Sequence, residues 1–255
     1  MILTDTHTHL YSKDFNEDRA EVMARAISNN VTRFFIPAID SSHTNAMYEL
    51  EKQFPENVHL MMGLHPTSVK ENFEEELQHV EEEFEKRKFI AVGEIGIDLY
   101  WDKTLLQQQQ IAFKRQIQLA KSMNLPIVIH CRDAFDEVFE VLESEKGDAL
   151  FGIFHCFTGD LEQAKKAVSF NMKLGIGGVA TFKNGGLDKF LAQIPLKEIV
   201  LETDSPYLAP APHRGKRNES SYLKLVADKL SDIYEVDIET VAEVTTQNSI
   251  DIFGI

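Results

Sequence analysis

The residues with the clearest chemical potential are Asp5, His7 and His9, in the run Asp5-Thr6-His7-Thr8-His9 that follows the apolar Met1-Ile2-Leu3. In an extended strand alternate side chains share a face, so the carboxylate and both imidazoles point one way and the threonines the other. Two imidazoles at i and i+2 can bind one divalent cation. Asp5 is placed to orient one of them or to stand just behind it. A strand that merely buried these groups without partners would be destabilised by several kcal/mol. The pair gains its meaning from what arrives at the ends of later strands.

Later apolar runs close on residues of the same kind: His65, Glu94, His130, His155 and Asp204. Imidazole with carboxylate suits Zn²⁺, Mn²⁺, Fe²⁺ or Co²⁺, and no thiolate cluster marks a closed structural zinc. Six ligands, leaving His65 aside, exceed what one cation needs when a position stays open for water, so two divalent ions are expected. In this reading His7, His9 and Asp204 hold one ion, His130 and His155 hold the other, and Glu94 bridges both. Water between them is acidified and becomes the nucleophile, with Asp204 also able to take its proton. Plainer readings stand beside this one. His130 and His155 can be satisfied core histidines, and Glu94 a buried acid paired with Arg132. His65, next to Pro66, either orders a loop or touches a phosphate or carbonyl oxygen of substrate. Cys131 and Cys156 each follow a candidate ligand and read as small buried residues.

Ligands so far apart in the chain meet only if the intervening elements form a closed structure. Extended apolar runs lie at 2–6, 33–38, 58–64, 89–95, 126–130, 150–155, 172–175 and 198–203. Helical patterns cover 19–30, a stretch from a Ser41 or Ser42 cap to 54, 71–88, 105–123, 133–145, 161–170 and 187–193. Two further helices, 220–231 and 238–253, close the chain. In the acidic stretch 71–88, Phe73, Leu77, Val80 and Phe84 recur at helical spacing, which predicts a solvated amphipathic helix. Eight alternations without a composition break predict an α/β fold: one (β/α)₈ TIM-type barrel over residues 1–255, with the metal site at its C-terminal mouth.

The chain has 255 residues, 43% of them hydrophobic, and a formal net charge of −15. That balance argues against nonspecific coating of nucleic acid, which draws on excess Lys and Arg. No run is apolar enough to span a membrane, and no secretory signal pattern opens the sequence. Two cysteines suggest no disulfide framework. A cytoplasmic enzyme is expected. Against this acidic background, His213-Arg214-Gly215-Lys216-Arg217-Asn218 concentrates cations. It reads as an anion clamp, with Arg214 or Arg217 on phosphate oxygens, or as a solvated loop. Thr181-Phe182-Lys183-Asn184 offers a hydroxyl, an ammonium and an aromatic face. Tyr100, Trp101 and Phe182 either pack or stack on a base.

Taken together, Asp5-Thr-His7-Thr-His9-Leu10, Gly63-Leu-His65-Pro66, Gly93-Glu94-Ile-Gly96-Ile-Asp98 and His130-Cys-Arg132-Asp133-Ala134 resemble the TatD family. So do His155-Cys-Phe157-Thr158-Gly159, Thr181-Phe-Lys-Asn184, Leu201-Glu202-Thr203-Asp204-Ser-Pro206-Tyr207-Leu208 and Arg214-Gly-Lys-Arg-Asn218. The resemblance covers essentially the whole chain. It implies a metal-dependent hydrolase on an amidohydrolase-type barrel, with Mg²⁺ added to the candidate ions. It also implies a 3′→5′ DNA exonuclease acting on single strands or DNA ends. Some members are linked to deacylation of D-aminoacyl-tRNA, so an acyl hydrolase on the same two-metal site is the rival reading. The family's metal residues carry over onto His7, His9, Glu94, His130, His155 and Asp204. Two departures are visible: Tyr11 stands where members often have an acid, and Ser220 where the loop usually has a proline. A monomer or weak oligomer without membrane contact is expected.

Overall fold

Eight parallel strands in two runs carry the computed structural model, which describes residues 1–255. The first run is β1 (Leu3–Asp5), β2 (Val31–Ile36) and β3 (Val58–Leu60). The second is β4 (Val92–Asp98), β5 (Ile127–Arg132), β6 (Gly152–Phe154), β7 (Met172–Ile176) and β8 (Ile199–Leu201). Backbone bonds across two seams close them into a barrel. At one seam Met62 N–H donates to Ala91 O at 3.2 Å and Gly93 N–H to Met62 O at 2.9 Å. At the other, the amide and the hydroxyl of Thr6 both donate to Leu201 O at 3.0 Å. Asp5 completes this second seam by accepting from the Thr203 amide at 2.9 Å and the Thr203 hydroxyl at 2.7 Å. It therefore backs no imidazole, contrary to the sequence expectation. Burial outweighs the bonds from Thr203 and Ser220 and pushes the Asp5 pKa up to about 7.

The outer layer is α1 (Arg19–Ser28), α2 (Thr44–Gln53), α3 (Phe73–Lys86), α4 (Leu106–Met123), α5 (Phe135–Ser144), α6 (Leu161–Ser169), α7 (Leu223–Tyr234) and α8 (Ile238–Phe253). In α3 the apolar stripe turns Leu77, Val80 and Phe84 inward while the glutamates of its first turn face out. Two details differ from the sequence reading. A single 3₁₀ turn, Ser41–His43, precedes α2, and Asp40 caps it by accepting from the Ser42 amide at 3.1 Å. The segment 187–193 forms two 3₁₀ turns, Leu187–Lys189 and Leu191–Gln193, in place of a helix. Gly185-Gly186 before it and Pro195 after it leave too few residues to nucleate an α-helix.

Inside the barrel, Phe35, Met61, Ala91, Val128, Ile153 and Val200 pack together, with Phe253 of α8 against them. The opposite faces of the strands join the helices in a larger apolar cluster that includes Phe34, Ile36, Ile127, Ile129, Phe154 and Leu201. This alternation builds the site. Two residues beyond Val128 comes His130, beyond Ile153 comes His155, and beyond Val200 comes Glu202. On the period-two face of each strand, an apolar lower layer gives way to a polar upper one. On β4 the register to β5 shifts between Gly93 and Ile95, at Glu94 itself. Such irregularities re-aim a side chain at functional positions.

Gly96, between Glu94 and Asp98, has φ +140°, and a Cβ there would lie 2.0 Å from His130 O. The β4 and β5 backbones approach closely enough that only glycine fits. Gly96→Ala is expected to destabilise the protein by about 2–4 kcal/mol through combined strain and overpacking. A urea midpoint lowered at unchanged slope checks this.

Candidate metal centre

Glu94, 2% exposed, lies at the centre of the barrel mouth. Its Oε1 faces His130 Nδ1 at 2.9 Å, His65 Nε2 at 3.2 Å and His155 Nε2 at 3.3 Å. Its Oε2 faces His7 Nε2 at 3.0 Å and His9 Nε2 at 3.8 Å. Asp204 Oδ1 stands 3.5 Å from His9 Nε2 and 4.0 Å from His7 Nε2. All six residues expected as ligands thus gather around one point, and His65 joins them. Their grouping differs from the partition read off the chain. The sets whose ligand atoms lie within 4.8 Å of one another are His7, His9 and Glu94; His7, His155 and Asp204; and His65, Glu94 and His130. His155 stacks on His7 with ring centroids 3.6 Å apart, whereas its ring lies 6.1 Å from that of His130. Arg132 does not pair with Glu94; its guanidinium lies over the Tyr100 ring at 3.7 Å.

Behind the imidazoles stand groups to which the sequence reading assigned no role. Asp98 Oδ2 accepts from His130 Nε2 at 2.9 Å, leaving Nδ1 directed at Glu94. Glu202, wholly buried, accepts from His155 Nδ1 at 3.1 Å and from the Cys156 amide at 2.6 Å. Tyr11, at the position of the first family departure, sets its hydroxyl 3.1 Å from His9 Nδ1. Each ring is thereby held in one orientation with its other nitrogen facing inward, an arrangement that also raises the basicity of a ligating histidine. The signal for Glu202 was present in the sequence. It lies two residues before Asp204 and two after Val200, on the inward face. Gly175 makes room for it, since a Cβ there would meet Glu202 Oε2 at 2.2 Å.

The electrostatics separate these groups. Burial disfavours charge on Glu94, yet His65, His155 and His7 outweigh it and hold its carboxyl well below the usual range. Asp204 is likewise held low, its burial overcome by the hydrogen bond to His9 and the charge of His155. His7 and His65 are pushed down, chiefly by burial. Despite burial, His130 is raised by Asp98 and Glu94, and His155 by Glu202 and Glu94. Both ring nitrogens of the fully buried His7 lack a hydrogen-bond partner. Unpartnered buried nitrogens are costly, and cation coordination satisfies the one that carries the free lone pair. The donor set therefore fits divalent metal.

The centre lines a cavity of about 610 Å³, whose wall includes Trp101, Arg132, Tyr207 and Leu208. Cys131 and Cys156 are half-buried at its side, and burial pushes both thiols up, away from the thiolate form that ligates metal. Arg214 does not reach Glu94. Its guanidinium lies 3.6 Å over the Phe182 ring, beside an adjoining hollow lined by Lys183 and Asn184. Arg217 is turned away from the mouth, donating to Asp18 at 2.6 and 2.9 Å and to Asp14 O at 2.6 Å. An ion pair of that geometry makes it an anchor of the loop rather than a free anion ligand.

Comparison with known proteins points to one family. Residues 4–254 match the family described as TatD related DNase. The chain is 38% identical over 255 residues to the uncharacterized metal-dependent hydrolase YabD of Bacillus subtilis, covering 100% of both chains. It is 33% identical over 260 residues to the uncharacterized metal-dependent hydrolase YcfH of Escherichia coli, covering 100% of this chain and 97% of that one. The crystal structure of YjjV, a TatD homolog from E. coli, superposes with a TM-score of 0.93 at 27% identity over 99% of this chain and 98% of that one. An organophosphorus hydrolase from Deinococcus radiodurans shares the fold alone, with a TM-score of 0.63 at 13% identity over 99% of this chain and 93% of that one.

Two outcomes are expected from this arrangement. Glu202→Gln should weaken divalent-cation binding by about 10- to 100-fold while the far-ultraviolet spectrum stays native; competition with a chromophoric chelator measures it. Stripping the metal should lower the thermal midpoint, because a cation at a hundredfold excess over its Kd stabilises by about 2.7 kcal/mol. Melts with Mn²⁺ and with chelator compare the two states.

Proposed function

The chain belongs to the TatD related DNase family and is a metal-dependent hydrolase, and from that premise we propose that it hydrolyses phosphodiester bonds of DNA, as a 3′→5′ exonuclease. The observation that carries the reading is the packing of Glu94 and Asp204 among five imidazoles on the wall of an open cavity. In this reading the donor set would hold two divalent cations, one among His7, His9 and Glu94 and one among His65, Glu94 and His130, with His155 and Asp204 beside His7. When bound, they supply Lewis acidity, lowering the pKa of water and stabilising charge that builds on phosphorus. The cavity is otherwise acidic in a chain of net charge −15, so a phosphate approaches it only with that charge neutralised.

The protein's own groups divide the remaining work. Asp204, held ionised and open to the cavity, takes the proton from the attacking water. Its turn is set by its own amide donating to His7 O at 2.9 Å. His65 lies at the rim with Nε2 toward the Glu94 carboxylate, where a non-bridging phosphate oxygen of substrate would come within its reach. Arg214 reaches the next phosphate along the strand from its place beside the cavity. The polarity of digestion follows the family resemblance.

Glu94→Ala and Asp204→Ala should each lower kcat/KM on an oligonucleotide by about a thousandfold or more with saturating metal. Assays of one sample on an oligonucleotide, a D-aminoacyl-tRNA and a plain ester decide the substrate. Turnover of either ester without DNA cleavage would replace this reading with acyl hydrolysis.

A further inference from the structure

Trp101 is the chain's single tryptophan and stands 72% exposed, beside Tyr100 at 52%. Neither ring serves the core, and Trp101 lines the catalytic cavity together with His130 and Arg132. The pair is edge-to-face at 4.9 Å, and the exposed guanidinium of Arg132 covers Tyr100 at 3.7 Å. Their turn is tied to the centre through one carboxylate. Asp98 Oδ1 accepts from the Tyr100 amide at 3.0 Å and the Trp101 amide at 3.3 Å, while Oδ2 accepts from His130 at 2.9 Å. The backbone that bears the indole is therefore held at a set offset from the imidazole that faces Glu94.

We infer that Trp101, backed by Tyr100 and Arg132, is a stacking platform for the unpaired base beside the scissile phosphate. The inference rests on the phosphodiesterase reading and assigns a specificity-determining residue to it. A planar aromatic face at a rim carrying an adjacent cation suits a base with its phosphate, and it suits any base, because each has a π-face. Bases inside a duplex have both faces covered, so the platform admits only a base free of its neighbours.

The sole indole reports on its own site. Metal-loaded protein is titrated with a phosphorothioate thymidine octamer and with a phosphorothioate abasic chain of equal length and charge. Quenching of tryptophan emission by the octamer, with little by the abasic chain, is the expected result. In parallel, kcat/KM on the ordinary octamer is divided by that on an abasic octamer. Trp101→Ala should reduce this ratio about tenfold, and Trp101→Phe should restore most of it. Equal quenching by both chains, or a ratio unmoved in Trp101→Ala while the octamer is still cleaved, overturns the platform and leaves the nuclease standing. Failure of the wild type to cleave any oligonucleotide overturns the nuclease reading itself, and the platform with it.

Discussion

An ionised carboxylate in the middle of a protein is stable only where opposite charge and donors surround it, and Glu94 is that carboxylate here. Its surroundings come from nearly the whole circuit of the barrel. His7 and His9 follow β1, His65 follows β3, His130 lies on β5 and His155 follows β6. No local segment could supply this set. The centre therefore exists only once both seams have closed, and the buried charge is tolerable only in that closed state. Closure at the β1–β8 seam itself uses a buried acid, Asp5 on Thr203, two residues before His7 and one before Asp204. The bond that shuts the barrel and the groups that line its mouth share the same stretches of chain.

Around this charge the side chains are arranged in layers. The imidazoles face Glu94. Behind them Asp98, Glu202 and the Tyr11 hydroxyl hold the rings in orientation. Below them the apolar layer of Phe35, Val128, Ile153 and Val200 keeps water from the barrel interior. Tight backbone contacts serve the same end. Gly96 lets β4 approach β5, and Gly175 leaves space for the Glu202 carboxylate. A methyl group at either place would disturb the geometry that makes the centre.

The cationic loop divides its labour. Arg217 ties the loop to Asp18 before α1, and Asn218 ties it inward, donating to Thr203 O and Tyr207 O at 2.7 Å each. Arg214, three residues before the first of these anchors, lies on the Phe182 ring. An acidic protein thus keeps a fixed cation, Arg217, three residues from an exposed one, Arg214. Residue type alone does not separate them; the partner each meets in space does.

The linear chain determined the alternation of elements, the barrel and the identity of the inward-facing polar residues, because these rest on local periods and on which residue type ends each apolar run. It even placed Glu202 on the inward face, one step of two from Asp204, although its role went unread. The chain could not show that His155 stacks on His7, that His65 reaches Glu94, or that Asp5 bonds across a seam. Nor could it show that 187–193 stops at 3₁₀ turns or that Arg217 is consumed by Asp18. Those depend on how far each strand is staggered around the ring and on which loops then come face to face. Such distances are set when the two edges of the sheet meet, and they are decided by tertiary structure alone.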